Sequence, residues 1–242
     1  MNAMTFPNCP PAVLPVPRRE WRSAFRALVV LMRDKDATGQ VFEIMRSLNG
    51  KSTRDGYARL LTTEQGGRLA FEHVELAERL ADRAWLASLP EGSFGRVYRD
   101  FTDAGGISPE GLIEVSNQVM NETPHPVAWF GRRTRDTHDL WHVLTGYNLD
   151  RLGEASLVAF SYAQTRALGW AWIAGGASFL HLLRGDFAHL RSIWQGFRSG
   201  RRARWLAGED YLALFEQPLD MVRQRLGIAP PTAYLAVPAE LR

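Results

Sequence analysis

Apolar residues that recur at three- and four-residue intervals dominate this chain and constrain its fold more than any other feature. The first such run comprises Trp21, Phe25, Leu28, Val29 and Met32. On an α-helix this spacing lines side chains along one face, which can then be buried. Alternation of apolar and polar residues, which would indicate strands, is scarce. The sequence therefore predicts an all-α fold, a single-domain helical bundle with long helices.

Residues that start or stop helices mark where further helices begin and end. Ser108, Pro109 and Glu110 combine a hydroxyl N-cap, a proline in the first turn and an early acid. Gly50 and Gly146 are candidate helix ends, because glycine accepts a left-handed backbone. Besides a helix from residue 108, the predicted helices cover residues 40–48, 126–144, 149–168, 187–197 (capped by Asp186) and 218–226.

Proline clusters delimit the predicted domain. The length of 242 residues, with 45% hydrophobic residues, suits one large domain with a substantial core. Five prolines lie in residues 1–18, which we predict to be an extended arm. Residues 229–242 contain three more and are predicted to be a C-terminal tail. The helical domain is expected to span residues 19–228.

Charge and cysteine content exclude several classes of function. The 29 Lys and Arg residues nearly balance 26 Asp and Glu residues, so we expect no nucleic acid partner. Cys9 is the only cysteine, which excludes an intramolecular disulfide and a cysteine-cluster metal site. No signal-peptide pattern is present, and glycines interrupt the apolar stretch 168–183. The protein is expected in the cytoplasm or peripherally on a membrane.

The residues most suited to chemistry are His138, Asp139 and His142, followed after eleven residues by Glu154. On a helix the two histidines project from the same face, one turn apart. Asp139 is rotated by roughly 100° from His138 and can still reach the edge of a bound metal. A turn at residues 146–148 and an antiparallel second helix would bring Glu154 beside His142. Two imidazoles and two carboxylates suit a divalent ion such as zinc.

Three other interpretations of these residues stay open. The histidine pair can be two ordinary polar residues, with Glu154 a first-turn acid favoured by the helix dipole. Zinc metalloproteases use His-Glu-x-x-His, but here the acid is Asp139. Phosphohydrolases with a His-Asp pair need an earlier histidine, for which His73 or His125 is available, and this leads to a phosphate-ester hydrolase hypothesis.

At these residues the chain resembles the coenzyme Q (ubiquinone) biosynthesis protein Coq-four family. The family motif His-Asp-x-x-His-x11-Glu is matched at all four positions. A departure is Thr134, where the family commonly has an aromatic residue, and residues 62–82 match loosely. The further segments that resemble the family are 89–96 with Tyr98, 149–160 with Leu-Gly-Glu at 152–154, 216–219 and 226–228.

This resemblance implies a zinc ion held by His138, Asp139, His142 and Glu154, with Asp139 the ligand of shorter reach. It implies a ubiquinone biosynthesis protein that carries out zinc-dependent C1 decarboxylation of a polyprenyl hydroxybenzoate, either as simple decarboxylation or in an oxidative form with hydroxylation at that carbon. The four residues would then be catalytic through the metal. The alternative is a non-catalytic, lipid-binding scaffold that organises a quinone-biosynthesis complex.

The resemblance also implies partners and a location. We expect a polyprenyl quinone precursor or other isoprenoid lipid, a membrane surface, a homodimer and other quinone-biosynthesis proteins as partners. Without a recognisable mitochondrial presequence, the chain is interpreted as a bacterial member, in the cytoplasm and peripheral on the inner membrane.

Apolar residues after the motif are candidates for contact with the isoprenoid chain. Each of these residues alone is more typical of a core, but together we expect them to line a tunnel from the metal to the bilayer: Leu157, Phe160, Trp170, Trp172, Ile173, Phe179 and Leu180. A second group of residues is expected to meet anionic lipid headgroups, and comprises Arg191, Arg198, Arg201, Arg202 and Arg204.

Overall fold

The computed structural model describes residues 18–34, 37–107 and 126–242. Nearly all of the predicted arm and the helix predicted from Ser108 lie outside these residues. Within them the chain forms helices and no β-strand, which confirms the all-α prediction.

The first helices are α1 (Trp21–Arg33), α2 (Thr38–Leu48), α3 (Ser52–Leu60), α4 (Glu64–Glu72), α5 (Leu76–Ala81), α6 (Arg83–Ser88) and α7 (Phe94–Gly105). The later ones are α8 (Val127–Asp136), α9 (His138–Thr145), α10 (Arg151–Thr165), α11 (Leu168–Leu183), α12 (Phe187–Arg202), α13 (Tyr211–Leu214), α14 (Leu219–Leu226) and α15 (Thr232–Leu235).

Side-chain caps and left-handed residues account for many of the helix ends. The Asp186 side chain accepts from the backbone N–H of His189 and starts α12, as the sequence predicted. Gly146, with φ +76°, ends α9 in the left-handed conformation that glycine adopts without strain. α12 extends to Arg202, five residues beyond the predicted end at residue 197.

The single helix predicted for residues 126–144 is wrong, because the structure divides it into α8 and α9. The break lies at Thr137, which is fully buried. Its hydroxyl donates to the carbonyl oxygen of Thr134 at 2.9 Å. In an uninterrupted helix that carbonyl would accept from the N–H of His138, so the hydroxyl competes with the helical pattern. The break makes His138 the first residue of α9.

The largest core cluster packs α7, α9, α10, α12 and α14 together. Among the described helices, α10 and α12 have the most extensive contact. A Cβ atom on Gly196 would lie 2.2 Å from the carbonyl oxygen of Ser156, so only glycine permits this approach of the two backbones. The contact holds the helix that carries Glu154.

A second layer is formed by α1 and α2, which pack against each other and against α11. Its buried core consists of Ala24, Ala27, Ile44 and Leu48, with Leu168 and Trp172 of α11 packed against them. α11 therefore lies between this layer and α10. None of the described helices is long and apolar enough to cross a bilayer.

Residues 229–242, expected as a tail, pack on the helical domain and include α15. Tyr234 is fully buried, and its hydroxyl donates to the carboxylate of Asp150. The Gln195 side chain of α12 bonds Thr232 and the backbone of Ala233. Burial of the tyrosine ring offsets the cost of ordering this proline-containing segment.

Candidate metal centre

The motif residues come from two consecutive helices joined by a tight turn. α9 carries His138, Asp139 and His142, and the first turn of α10 carries Glu154. The turn leaves no room for a side chain at residue 153, because a Cβ on Gly153 would lie 2.0 Å from the carbonyl oxygen of Asn148. The glycine of the Leu-Gly-Glu segment therefore lets α10 start close to α9 and directs Glu154 back to the histidines.

Glu154 lies between the two histidine rings. Its Oε1 is 3.3 Å from Nε2 of His142, and its Oε2 is 3.6 Å from Nε2 of His138. One ligand atom from each of His138, Asp139 and His142 also lies within 4.8 Å of the others. The structure thus brings His138, Asp139 and His142 together and places Glu154 against the two histidines.

His142 is oriented by a hydrogen bond on the far side of its ring. Nδ1 lies 2.9 Å from the carbonyl oxygen of Tyr147, and because a carbonyl only accepts, Nδ1 carries the hydrogen. Nε2 of the neutral ring then presents a lone pair towards Glu154, and this buried atom has no hydrogen-bond partner in the described structure. A lone pair and a carboxylate that face each other fit a cation between them.

The spacing of these atoms suits a small divalent ion. Two ligands of a tetrahedral zinc ion, with bonds of 2.0–2.1 Å, stand about 3.3 Å apart. The separations of the Glu154 oxygens from the histidine nitrogens, 3.3 and 3.6 Å, are close to that value. The donor set of imidazole and carboxylate also matches the ligand preference of zinc.

Two aromatic rings hold the histidines in place. Trp170 stacks on His138, with ring centroids 5.7 Å apart and planes 10° apart. Phe101 of α7 stacks on His142 at 5.7 Å and 26°. Phe101 lies on a separate helix, and nothing in its local sequence connects it with the motif. Tyr147 lies in the predicted turn at residues 146–148, but the sequence does not indicate that its carbonyl supports His142.

The charges at the site depend on one another. Burial lowers the pKa of His138, but the contact with Glu154 and its charge outweigh burial and raise the pKa. Burial raises the pKa of Glu154, yet the two histidines hold it well below its usual range. Burial raises the pKa of Asp139, which the two histidines oppose. Glu154 is therefore ionised at neutral pH and attracts a cation.

The site opens into a large cavity of about 2020 Å³. His138, Asp139 and Glu154 line one part of its wall, and 42% of the Glu154 side chain is exposed. Much of the remaining wall is apolar and comes from α1, α2 and α11, with Leu28, Met32, Phe42, Met45, Trp170 and Ile173 among its residues.

The seven candidates for lipid contact lie in four different environments. Trp170, Ile173 and Leu180 line the cavity. Leu157 and Phe160 are fully buried in the main core instead, because Phe160 is rotated roughly 120° from Glu154 around α10. Of the remaining two, Trp172 donates to the carbonyl of Ala24 in α1, and Phe179 is exposed to solvent.

The other residues singled out from the sequence lie on the surface or away from the motif. Arg191, Arg198, Arg201 and Arg202 are exposed on α12, whereas Arg204 pairs with Glu209 at 3.3 Å. His73 ends α4 and packs edge-on against Trp129. His125 lies outside the described residues.

Several known proteins are similar to this chain. The model of the family described as Coenzyme Q (ubiquinone) biosynthesis protein Coq4 matches residues 23–232. The mitochondrial ubiquinone biosynthesis protein COQ4 homolog of Mus musculus is 30% identical over 177 residues, 71% of this chain and 63% of that protein. The mitochondrial ubiquinone biosynthesis protein coq-4 of Caenorhabditis elegans is 27% identical over 205 residues, 84% of this chain and 82% of that protein. The chain thus spans about 63% of the length of the mouse relative.

A solved structure has the same fold. It is a crystal structure of a Nostoc punctiforme protein described as acting in ubiquinone biosynthesis, with a TM-score of 0.61 and 21% identity. The match covers 86% of this chain and 98% of that one. Since the family match runs from α1 to the start of α15, this chain belongs to the Coenzyme Q (ubiquinone) biosynthesis protein Coq4 family.

Proposed function

We propose that this protein is a zinc-dependent decarboxylase that acts at C1 of a polyprenyl hydroxybenzoate, with zinc held by His138, Asp139, His142 and Glu154. The observation that supports this most is the buried Nε2 of His142, which has no hydrogen-bond partner in the described structure and faces the Glu154 carboxylate. The family to which the chain belongs supports the place of this reaction in ubiquinone biosynthesis.

The proposed reaction breaks the bond between C1 and the carboxylate carbon. C1 first takes up a proton while the para phenol loses its own and becomes the carbonyl of a dienone. CO2 then leaves, and the electron pair of the broken bond restores the aromatic ring and the phenol. A divalent cation at this site acts as a Lewis acid towards the oxygen atoms of the substrate. In the oxidative form of the reaction, C1 receives a hydroxyl group from water instead of a proton, and molecular oxygen takes up the two electrons and is released as hydrogen peroxide.

The chain's own residues bind and orient the substrate. The apolar wall formed by Leu28, Phe42 and Ile173 buries the prenyl tail at about 0.8 kcal/mol per methylene group. Trp170 and Phe101 keep the imidazoles in fixed planes, so that the aromatic head meets a rigid site.

The test uses the purified full chain, zinc and a prenylated 4-hydroxybenzoate. We expect CO2 release by the wild type, and a loss of at least about a hundredfold in Glu154→Gln, which keeps the shape of the side chain but loses its charge. Glu72→Gln, on the exposed face of α4, is the matched control and should retain wild-type activity. A proton or a hydroxyl group at C1 of the product identifies the non-oxidative or oxidative form.

The alternative is a lipid-binding scaffold with a structural metal, which the size of the apolar cavity favours. In that case the wild type would bind the prenylated substrate without releasing CO2, and Glu154→Gln would lower only the melting temperature. Turnover of phosphomonoesters or phosphodiesters by the wild type would instead support the hydrolase hypothesis.

We further propose that the protein docks peripherally on a bacterial inner membrane through the end of α11 and the start of α12. Five large apolar side chains there, spaced along helix faces, are each more than half exposed: Phe179, Leu182, Leu183, Phe187 and Trp194. Arg184 and Arg191 lie beside them and suit anionic headgroups at about 1 kcal/mol per charge.

Flotation with anionic vesicles tests this surface. Leu183→Glu combined with Phe187→Glu should abolish flotation, whereas Phe71→Glu, at an exposed residue of α4, should leave it unchanged. Flotation of the double variant at wild-type level would exclude this face. Light scattering of the same sample measures the proposed homodimer, and co-purification measures binding of other quinone-biosynthesis proteins.

A further inference from the structure

A second group of metal-ligating side chains lies where α11 meets α12. His181 is near the end of α11, Asp186 caps α12, and His189 is in the first turn of α12. One ligand atom from each lies within 4.8 Å of the others. Nδ1 of His189 is 2.7 Å and Nδ1 of His181 is 3.1 Å from the same oxygen, Oδ2 of Asp186. The two imidazole rings stack 4.4 Å apart.

The contact of His189 Nε2 determines whether Nδ1 of the same ring carries a hydrogen or a lone pair. Nε2 lies 2.9 Å from the carbonyl oxygen of Leu241, so Nε2 carries the hydrogen that this carbonyl accepts. Nδ1 of the neutral ring then holds a lone pair. Nδ1 is buried and makes no hydrogen bond in the described structure, although Asp186 Oδ2 is only 2.7 Å away. A backbone carbonyl behind the ring is the usual support of a metal-bound histidine.

Helix capping alone does not explain this arrangement. The cap of α12 uses Oδ1 of Asp186, which accepts from the backbone N–H of His189 at 3.3 Å. Both imidazoles instead approach the other oxygen, Oδ2. The carboxylate therefore caps the helix with one oxygen and keeps the second for the two rings.

We propose that His181, Asp186 and His189 form a second binding site for a divalent transition metal, zinc being the ion that this donor set suits best. Two imidazole nitrogens and one carboxylate oxygen are ligands of zinc, and the expected separation between two ligands is about 3.3 Å. The observed separations of 2.7 and 3.1 Å need only a small outward movement. All three side chains also line the large cavity, which leaves the fourth position open to water.

A metal at this site would join three parts of the chain. It would bind α11 through His181 and α12 through Asp186 and His189, and the Leu241 carbonyl would connect the C-terminal segment to it. Since the unfolded chain does not present these ligands together, bound metal stabilises the folded state.

The test measures metal stoichiometry with Co²⁺ alone, added to metal-free full-length protein. We expect two equivalents for the wild type, one for His181→Gln, and one for a variant that lacks the first site, His142→Gln with Glu154→Gln. Asp186→Asn keeps a capping side chain but loses the charged ligand, and should weaken the second equivalent at least about tenfold. Circular dichroism checks that each variant is folded.

Two results would overturn the proposal: His181→Gln that binds as much Co²⁺ as the wild type, or a folded first-site variant that binds none. If the first-site variant does not fold, the comparison between the wild type and His181→Gln decides alone. A thermal shift gives a second measurement, since Zn²⁺ should raise the melting temperature of the wild type more than that of His181→Gln.

Discussion

At the scale of single residues, the backbone around Glu154 decides whether the motif can form one site. Gly153 has Asn148 backbone atoms where a side chain would begin, and Asp150 caps the same turn by accepting from the Gly153 N–H at 2.7 Å. The position of the Glu154 carboxylate therefore depends on Gly153, a residue that has no side chain and no ligand atom of its own.

We predict that Gly153→Ala destabilises the protein by about 1–3 kcal/mol and weakens metal binding, because the new methyl group pushes α10 away from the turn. Denaturant unfolding and Zn²⁺ titration measure the two effects. Gly175→Ala is the matched control, since nothing lies within 4 Å of a Cβ there, and it should stabilise α11 by up to about 1 kcal/mol. Equal stability of Gly153→Ala and the wild type would contradict the prediction.

Ionisation of the Tyr211 hydroxyl makes the stability of the protein depend on pH in the alkaline range. Its buried hydroxyl donates to Leu206 and accepts from Trp141 Nε1, and burial raises its pKa, which the Trp141 hydrogen bond opposes. Above pH of about 10 the unfolded chain releases a proton that the native state keeps, so the free energy of unfolding falls as pH rises. Below that pH both states keep the proton, and the contribution of Tyr211 to the free energy of unfolding is fully present.

Tyr211→Phe should cost about 1–3 kcal/mol at neutral pH, because the buried Trp141 Nε1 loses its acceptor. The same variant should show a weaker fall of stability above pH of about 10. Urea unfolding at a series of pH values measures both effects, and identical pH slopes for the two proteins would exclude this role of Tyr211.

At the scale of helices, close packing between α10 and α12 fixes the position of α10, the helix that carries Glu154. Two glycines of α12 allow the approach, since a Cβ on Gly196 would lie 2.2 Å from Ser156 O and a Cβ on Gly200 2.6 Å from Phe160 O. Ser156 and Ser192 add a buried hydrogen bond of 2.8 Å across the same contact.

We predict that Gly196→Ala separates α10 from α12 and costs at least about 2 kcal/mol, because backbone atoms must move to admit the methyl group. Gly67→Ala, in α4 with open space at its Cβ, is the control and should be neutral or slightly stabilising. Thermal unfolding of the two variants gives the comparison; a Gly196→Ala variant as stable as the control would show that α12 moves freely.

At the scale of the whole molecule, the cavity is the space that remains where the layer of α1 and α2 and the layer of the motif helices do not pack against each other. α1 and α2 pack on α11, while the motif helices belong to the other layer, and the apolar wall between them extends from Trp170. Residues of both layers therefore line the cavity.

We predict that Ile173→Trp fills part of this cavity and weakens binding of a prenylated hydroxybenzoate by about tenfold or more, since two displaced methylene groups cost about 1.6 kcal/mol. Binding of unprenylated 4-hydroxybenzoate should change little. Tryptophan quenching measures both ligands, and Leu61→Trp, at an exposed residue outside the cavity, is the control. Equal losses for both ligands would contradict a tail-binding role of the cavity.

The sequence by itself determined the all-α class, many of the helix ends and the placement of the two motif histidines on one helix face. These depend on residues within a few positions of one another, such as the cap of Asp186, the turn at Gly146 and the one-turn spacing of His138 and His142. Only the tertiary structure decided the break at Thr137, the stacking of Phe101 on His142 and the meeting of His189 with Leu241. The stacking and the His189 contact join residues far apart in the chain, and the break occurs at a residue that tertiary packing buries completely. The local spacing of residues indicates none of these three features, because each depends on how the helices pack.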